Sequence, residues 1–80
     1  MAIEYGESLA AFVGFVGVDE AEELLGWLQK KSGPRVDLGL CLHLHPANLQ
    51  VLMAAKTPVA QWPDDRDLRF WLESVLKEEN

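Results

Sequence analysis

From Arg35 to Leu44 the chain alternates without a break. Val36, Leu38, Leu40, Leu42 and Leu44 fall on one side of an extended backbone, and Asp37, Gly39, Cys41 and His43 on the other. A period of two over five apolar positions predicts a β-strand with one covered face. His45-Pro46 breaks the pattern, and Pro46 suits the first position of a helix, where its missing N–H costs nothing. Residues 47–56 are almost wholly apolar, Asn48, Gln50 and the closing Lys56 excepted, which predicts a helix covered on more than one side. Thr57-Pro58 ends it, and 59–62 is a candidate short strand. After Pro63-Asp64-Asp65, the residues Leu68, Trp71, Leu72, Val75 and Leu76 repeat at helical spacing, predicting a helix over 65–78.

The first third of the chain reads in the same way. Residues 2–5 are a candidate edge strand, and Gly6-Glu7-Ser8 is a turn signal. Residues 9–16 (LAAFVGFV) are apolar on both faces, as in a strand covered on two sides, so 2–16 is expected to form a hairpin. Gly14 within it predicts a bulge or a close backbone approach. Asp19 is a candidate N-cap with Glu22 three residues on, and Ala21, Leu24, Leu25 and Leu28 form one helical stripe. Acidic residues early and Lys30-Lys31 late suit the helix dipole, and Ser32-Gly33-Pro34 stops the helix, giving 19–32. The order is β-β-α-β-α-(β)-α. It predicts one α/β domain over 1–80, with a small mixed sheet of about three or four strands and helices packed on it.

Composition narrows the function classes. Seven basic residues against thirteen acidic ones, net −6, with no basic cluster, argue against nucleic acid, whose affinity comes from neutralised phosphates. The same balance disfavours an anionic membrane surface. The longest apolar run, residues 9–18, is half the length of a membrane span of about 20 residues. One cysteine excludes an intrachain disulfide, and Glu4 and Glu7 fall where a secretory leader would be basic or apolar. The expectation is a cytoplasmic protein.

Cys41, His43 and His45 are the one chemical constellation, since residues two apart on a strand point the same way. A structural metal takes four ligands and no fourth is evident, so the plainer expectation is a core cysteine, a histidine packed in the sheet and a helix-capping His45. The start of the helix at Pro46 is a weak anion site, because Pro46 removes a donor and there is no glycine-rich cradle. Asp64, Asp65 and Asp67 read as cap and dipole partners of the last helix. No serine, threonine or lysine stands in a nucleophile setting, so neither catalytic residues nor a cofactor are expected. Trp27 and Phe70 lie off their helical stripes and Trp62 sits in a loop. Such aromatics either cover the rim of a small core or mark a contact surface.

Residues 36–55, VDLGLCLHLHPANLQVLMAA, resemble the central motif of STAS domains, the fold of bacterial anti-sigma factor antagonists. That pattern is roughly V-D-L-S, five variable residues, then D-S-S-G-L and an apolar helix. Val36-Asp37-Leu38 matches the opening, Leu49 falls at the pattern's leucine without a gap, and 50–55 matches the helix start. Gly14, Val16, Ala21, Glu23 and Leu24 fit the stretch around the family's first helix, so the resemblance covers about residues 9–56. Pro46 stands where the family carries its regulatory serine, Ala47 replaces the second serine and Asn48 the glycine. With no hydroxyl there, the usual phosphorylation switch cannot operate. The resemblance implies a non-catalytic module that docks a regulatory protein, or a second copy of itself, through His43, His45, Pro46, Ala47, Asn48 and Gln50. Trp27, Trp62 and Phe70 are a candidate second patch. The competing expectations are a small metal-binding protein or enzyme using Cys41, His43 and His45, and an accessory subunit of a larger complex.

Overall fold

The computed structural model describes residues 2–76. The chain runs β1 (Ile3–Tyr5), β2 (Leu9–Val16), a 3-10 turn (Val18–Glu20), α1 (Ala21–Lys30), β3 (Arg35–Leu44), α2 (Pro46–Ala55), β4 (Val59–Gln61) and α3 (Arg66–Leu76). The α/β architecture and its β-β-α-β-α-β-α order are those the sequence predicts, with the optional strand present. One four-stranded sheet has the order β1-β2-β3-β4. β1 pairs antiparallel with β2 as a hairpin, while β2, β3 and β4 run parallel. The inward residues of the sheet (Ile3, Ala10, Phe12, Val16, Val36, Leu38, Cys41, Leu44) join the buried residues of all three helices in one core cluster. The shortest dimension is 19 Å, which is two layers, each about 10 Å thick.

The helices depart from the predicted boundaries and stripes for identifiable reasons. Asp19 does not cap α1: it lies within the 3-10 turn, and the residue before α1, Glu20, makes no side-chain cap bond. Glu20 is instead buried, with Oε2 accepting from the Ala2 N–H at 3.1 Å. The buried stripe of α1 is Leu24, Trp27 and Leu28, and Leu25 is exposed. Trp27, expected off the stripe, is drawn in because its indole Nε1 donates to the Gly6 carbonyl at 3.3 Å and its ring meets Tyr5 at 5.5 Å. α2 begins at Pro46 as predicted, but its cover is less than all-round: Asn48, Leu49 and Leu52 are buried while Gln50, Ala54 and Ala55 are exposed. It ends on Lys56 in the left-handed region, φ 52°. α3 is capped by Asp65, whose Oδ1 accepts from the Leu68 N–H at 2.9 Å. Residues 77 and 78 of the predicted helix lie outside the described residues.

β3 holds the main correction. Leu40 and Leu42, predicted inward, are exposed, and Cys41, predicted to share a face with Asp37 and His43, is fully buried. The cause is two β-bulges. Ala11 opposes Asp37 but Val13 opposes Leu40, and Gly14 opposes Cys41 but Phe15 opposes His43. Each shift inserts one extra residue into β3 and reverses the side-chain parity beyond it. Gly39 fits the first bulge because a Cβ there would lie 3.1 Å from Gln61 Cγ and 3.2 Å from Asp37 Oδ1. On the facing strand Gly14 takes φ 73°, a left-handed conformation that glycine adopts without strain.

Candidate functional site

The C-terminal ends of β2 and β3 lie side by side, and each leads directly into a helical segment. In open α/β sheets this is where ligands and partners are met. The His45 N–H donates to the Val16 carbonyl at 2.9 Å, which extends the β2–β3 ladder to the edge of α2. The Asn48 side chain then crosses the gap, with Nδ2 donating to the Gly17 carbonyl at 2.7 Å. Asn48 is fully buried, so this bond ties the start of α2 to the end of β2 where water does not compete.

His45 is the N-cap of α2. Its Nδ1 accepts from the Ala47 N–H at 3.0 Å, and its carbonyl accepts from the Asn48 and Leu49 N–H groups at 2.9 and 3.2 Å. Pro46 has no N–H to offer. The first-turn donors are therefore spent within the chain, which leaves nothing with which to cradle an anion. What the turn does present is a fixed outer surface: His43, Pro46 and Gln50 are exposed, while His45 and Ala47 are half-buried behind them. Phe15 extends that surface on the β2 side, its ring 5.9 Å from the His43 ring.

The other expected residues separate. Trp27 is buried and Trp62 half-buried against the core, so neither offers a free face like that of Phe70, which is 77% exposed on α3. Cys41, His43 and His45 do not converge. The first bulge, at Gly39, turns Cys41 inward and the second, at Leu42, keeps His43 outward; Cys41 Sγ donates to the His43 carbonyl at 3.5 Å, and His45 turns back to cap α2. Burial pushes the Cys41 thiol up to about 11, against a weaker lowering by that hydrogen bond. Among the described residues no three His, Cys, Asp or Glu side chains gather as metal ligands would.

An open groove of about 440 Å³ lies between β1 and α1, lined by Tyr5, Glu23, Gly26, Trp27, Lys30 and Lys31. Burial of the Tyr5 hydroxyl, then the Glu23 and Glu20 carboxylates, push its pKa up to about 12, so it stays a phenol. The exposed apolar surface that periodicity missed is the outward set Val13, Phe15, Leu40 and Leu42. Its signals in the sequence were the two apolar faces of residues 9–16 and the glycines Gly14 and Gly39 standing inside the two strands. Among the described residues no helix is long and apolar enough to cross a membrane. No protein-family model, curated protein or solved structure matches the chain.

Proposed function

We propose that this chain is a non-catalytic, STAS-like docking module of bacterial signalling, working in the cytoplasm on a regulatory protein partner. The observation that supports this reading best is the β3–α2 turn. Where STAS relatives carry a phosphorylated serine, this chain has a rigid projection. His43, Pro46 and Gln50 face solvent, and the His45 cap and the Asn48–Gly17 bond hold the backbone beneath them. A surface fixed in this way loses little conformational freedom on binding. Because Pro46 and Ala47 carry no hydroxyl, docking here is constitutive, and any regulation acts on the partner or at another place.

The test is calorimetric titration with purified anti-sigma factors or serine kinases encoded beside the gene. One of them binds, and Pro46→Asp and Gln50→Arg each weaken it by at least about tenfold, or 1.4 kcal/mol. The control Leu25→Lys, in the helix layer, leaves affinity unchanged. If none of these proteins binds, or if binding is indifferent to both substitutions at the turn, the proposal is wrong.

A further inference from the structure

The sheet has two faces and the helices use one. On the other, Val13 of β2 pairs with Leu40 of β3 in register, and Phe15 pairs with His43 one step further along. Leu42, the extra residue of the second bulge, lies beside them. Phe15 is 72% exposed, Leu40 65%, Leu42 54% and Val13 40%. We propose that this outer face is the interface of a homodimer, in which two copies pack sheet against sheet across a two-fold axis.

Three observations point to a second copy as the occupant. The first is strand direction: three of the four strands run parallel, and parallel sheets are stable with both faces covered. The second is area. These side chains leave on the order of 500 Å² of apolar surface bare, the upper range of what a single-chain protein tolerates. With its polar rim, the face approaches the roughly 800 Å² per copy that a standard interface buries.

The third is charge. The chain carries net −6, yet no Asp, Glu, Lys or Arg stands among the outward residues from Val13 and Leu40 to Phe15 and His43. Glu4, Arg35 and Asp37 pair further back, toward the other end of the strands. An apolar centre with charge displaced to the rim is the pattern of homodimer interfaces, whereas a partner recruited by charge would need charge at the centre. It also lets two acidic molecules meet where like charges do not face each other. Packed at about 10 Å, the two sheets form the middle of a four-layer α/β/β/α particle.

This face meets the Pro46–Gln50 surface at His43 and Phe15 but is centred on Leu40 and Val13. The substitutions that test each proposal (Pro46 and Gln50 there, Leu40 and Phe15 here) do not overlap, so either can fail while the other stands. Sedimentation equilibrium of the full chain, over about 1 to 500 μM, tests it. The expected result is a species of twice 9.0 kDa in the tens of micromolar, with Leu40→Lys and Phe15→Lys each weakening self-association at least 100-fold and Leu25→Lys leaving it unchanged. Both lysines would replace exposed side chains, so circular dichroism of the variants should match the wild type. As a check that needs no variant, amide shifts on diluting the wild type should concentrate in β2 and β3. A wild type that remains a monomer at 500 μM overturns the proposal, as does a dimer that survives both lysines. A monomer that uses this face for a different polypeptide also overturns it.

Discussion

With no solvent contact and its Sγ donating to the His43 carbonyl, Cys41 is held as a thiol, pushed up to about 11 from 9.0. The thiolate is the nucleophile, so iodoacetamide at pH 8 should leave the folded chain unmodified and react fully once urea unfolds it. Labelling of the native protein at the rate of a free thiol would contradict this placement. The shift also sets a pH dependence. The folded state holds the proton more tightly than the unfolded chain does. The contribution is therefore complete below about pH 9 and is lost as pH climbs from 9 through 11. Tyr5, pushed from 10.0 to about 12, extends the loss in the same direction. Urea midpoints should fall from pH 8 to pH 11, and Cys41→Ala should flatten the first part of that fall. A midpoint unchanged across the range would refute the assignment.

At the level of elements, what the sequence made legible followed from local chemistry. Pro46 and Lys56-Thr57-Pro58 bound α2, Asp65 caps α3, and the alternation from Arg35 to Leu44 is a strand with those limits. What escaped depended on a neighbour. Trp27 belongs to the core only because the Gly6 carbonyl and the Tyr5 ring come from the hairpin, 21 residues away for the hydrogen bond. Leu40 looks like a core residue until β2 sets the register. The projecting turn was legible as a place, since His45-Pro46 breaks the strand, but its rigidity was not, because the Asn48–Gly17 tie spans 31 residues. One element end carries visible strain: Lys56 closes α2 at φ 52°, a conformation costly for any side chain with a Cβ. Lys56→Gly should stabilise the chain by about 0.5–1 kcal/mol, raising Tm by roughly 2–8 °C in a domain of this size. A lower Tm in that variant would show that the lysine side chain contributes more than its backbone strain costs.

For the molecule as a whole, β3 decides what faces inward and what faces outward. Its ten residues lie against eight of β2, and the two extra ones fall at the bulges, one where Leu38 and Gly39 span the place of Phe12 and one at Leu42 between Cys41 and His43. Between the two shifts the strand is out of phase with its own alternation, and the second shift restores the phase in time for Leu44. In the language of insertions and deletions, the strand carries two single-residue insertions, each absorbed where it occurs by its own bulge. Without Gly39 and Leu42 it would read Arg-Val-Asp-Leu-Leu-Cys-His-Leu, eight residues against eight, with Val36, Leu38, Cys41 and Leu44 still inward. Deleting Leu42 alone should therefore leave the melt cooperative, because Cys41 and Leu44 stay inward and His43 outward against the same β2 partners. Deleting Gly39 as well should keep the same inward set, with both bulges gone. Loss of the cooperative melt in either variant would mean that the bulges themselves, and not only the phase they set, hold the sheet together.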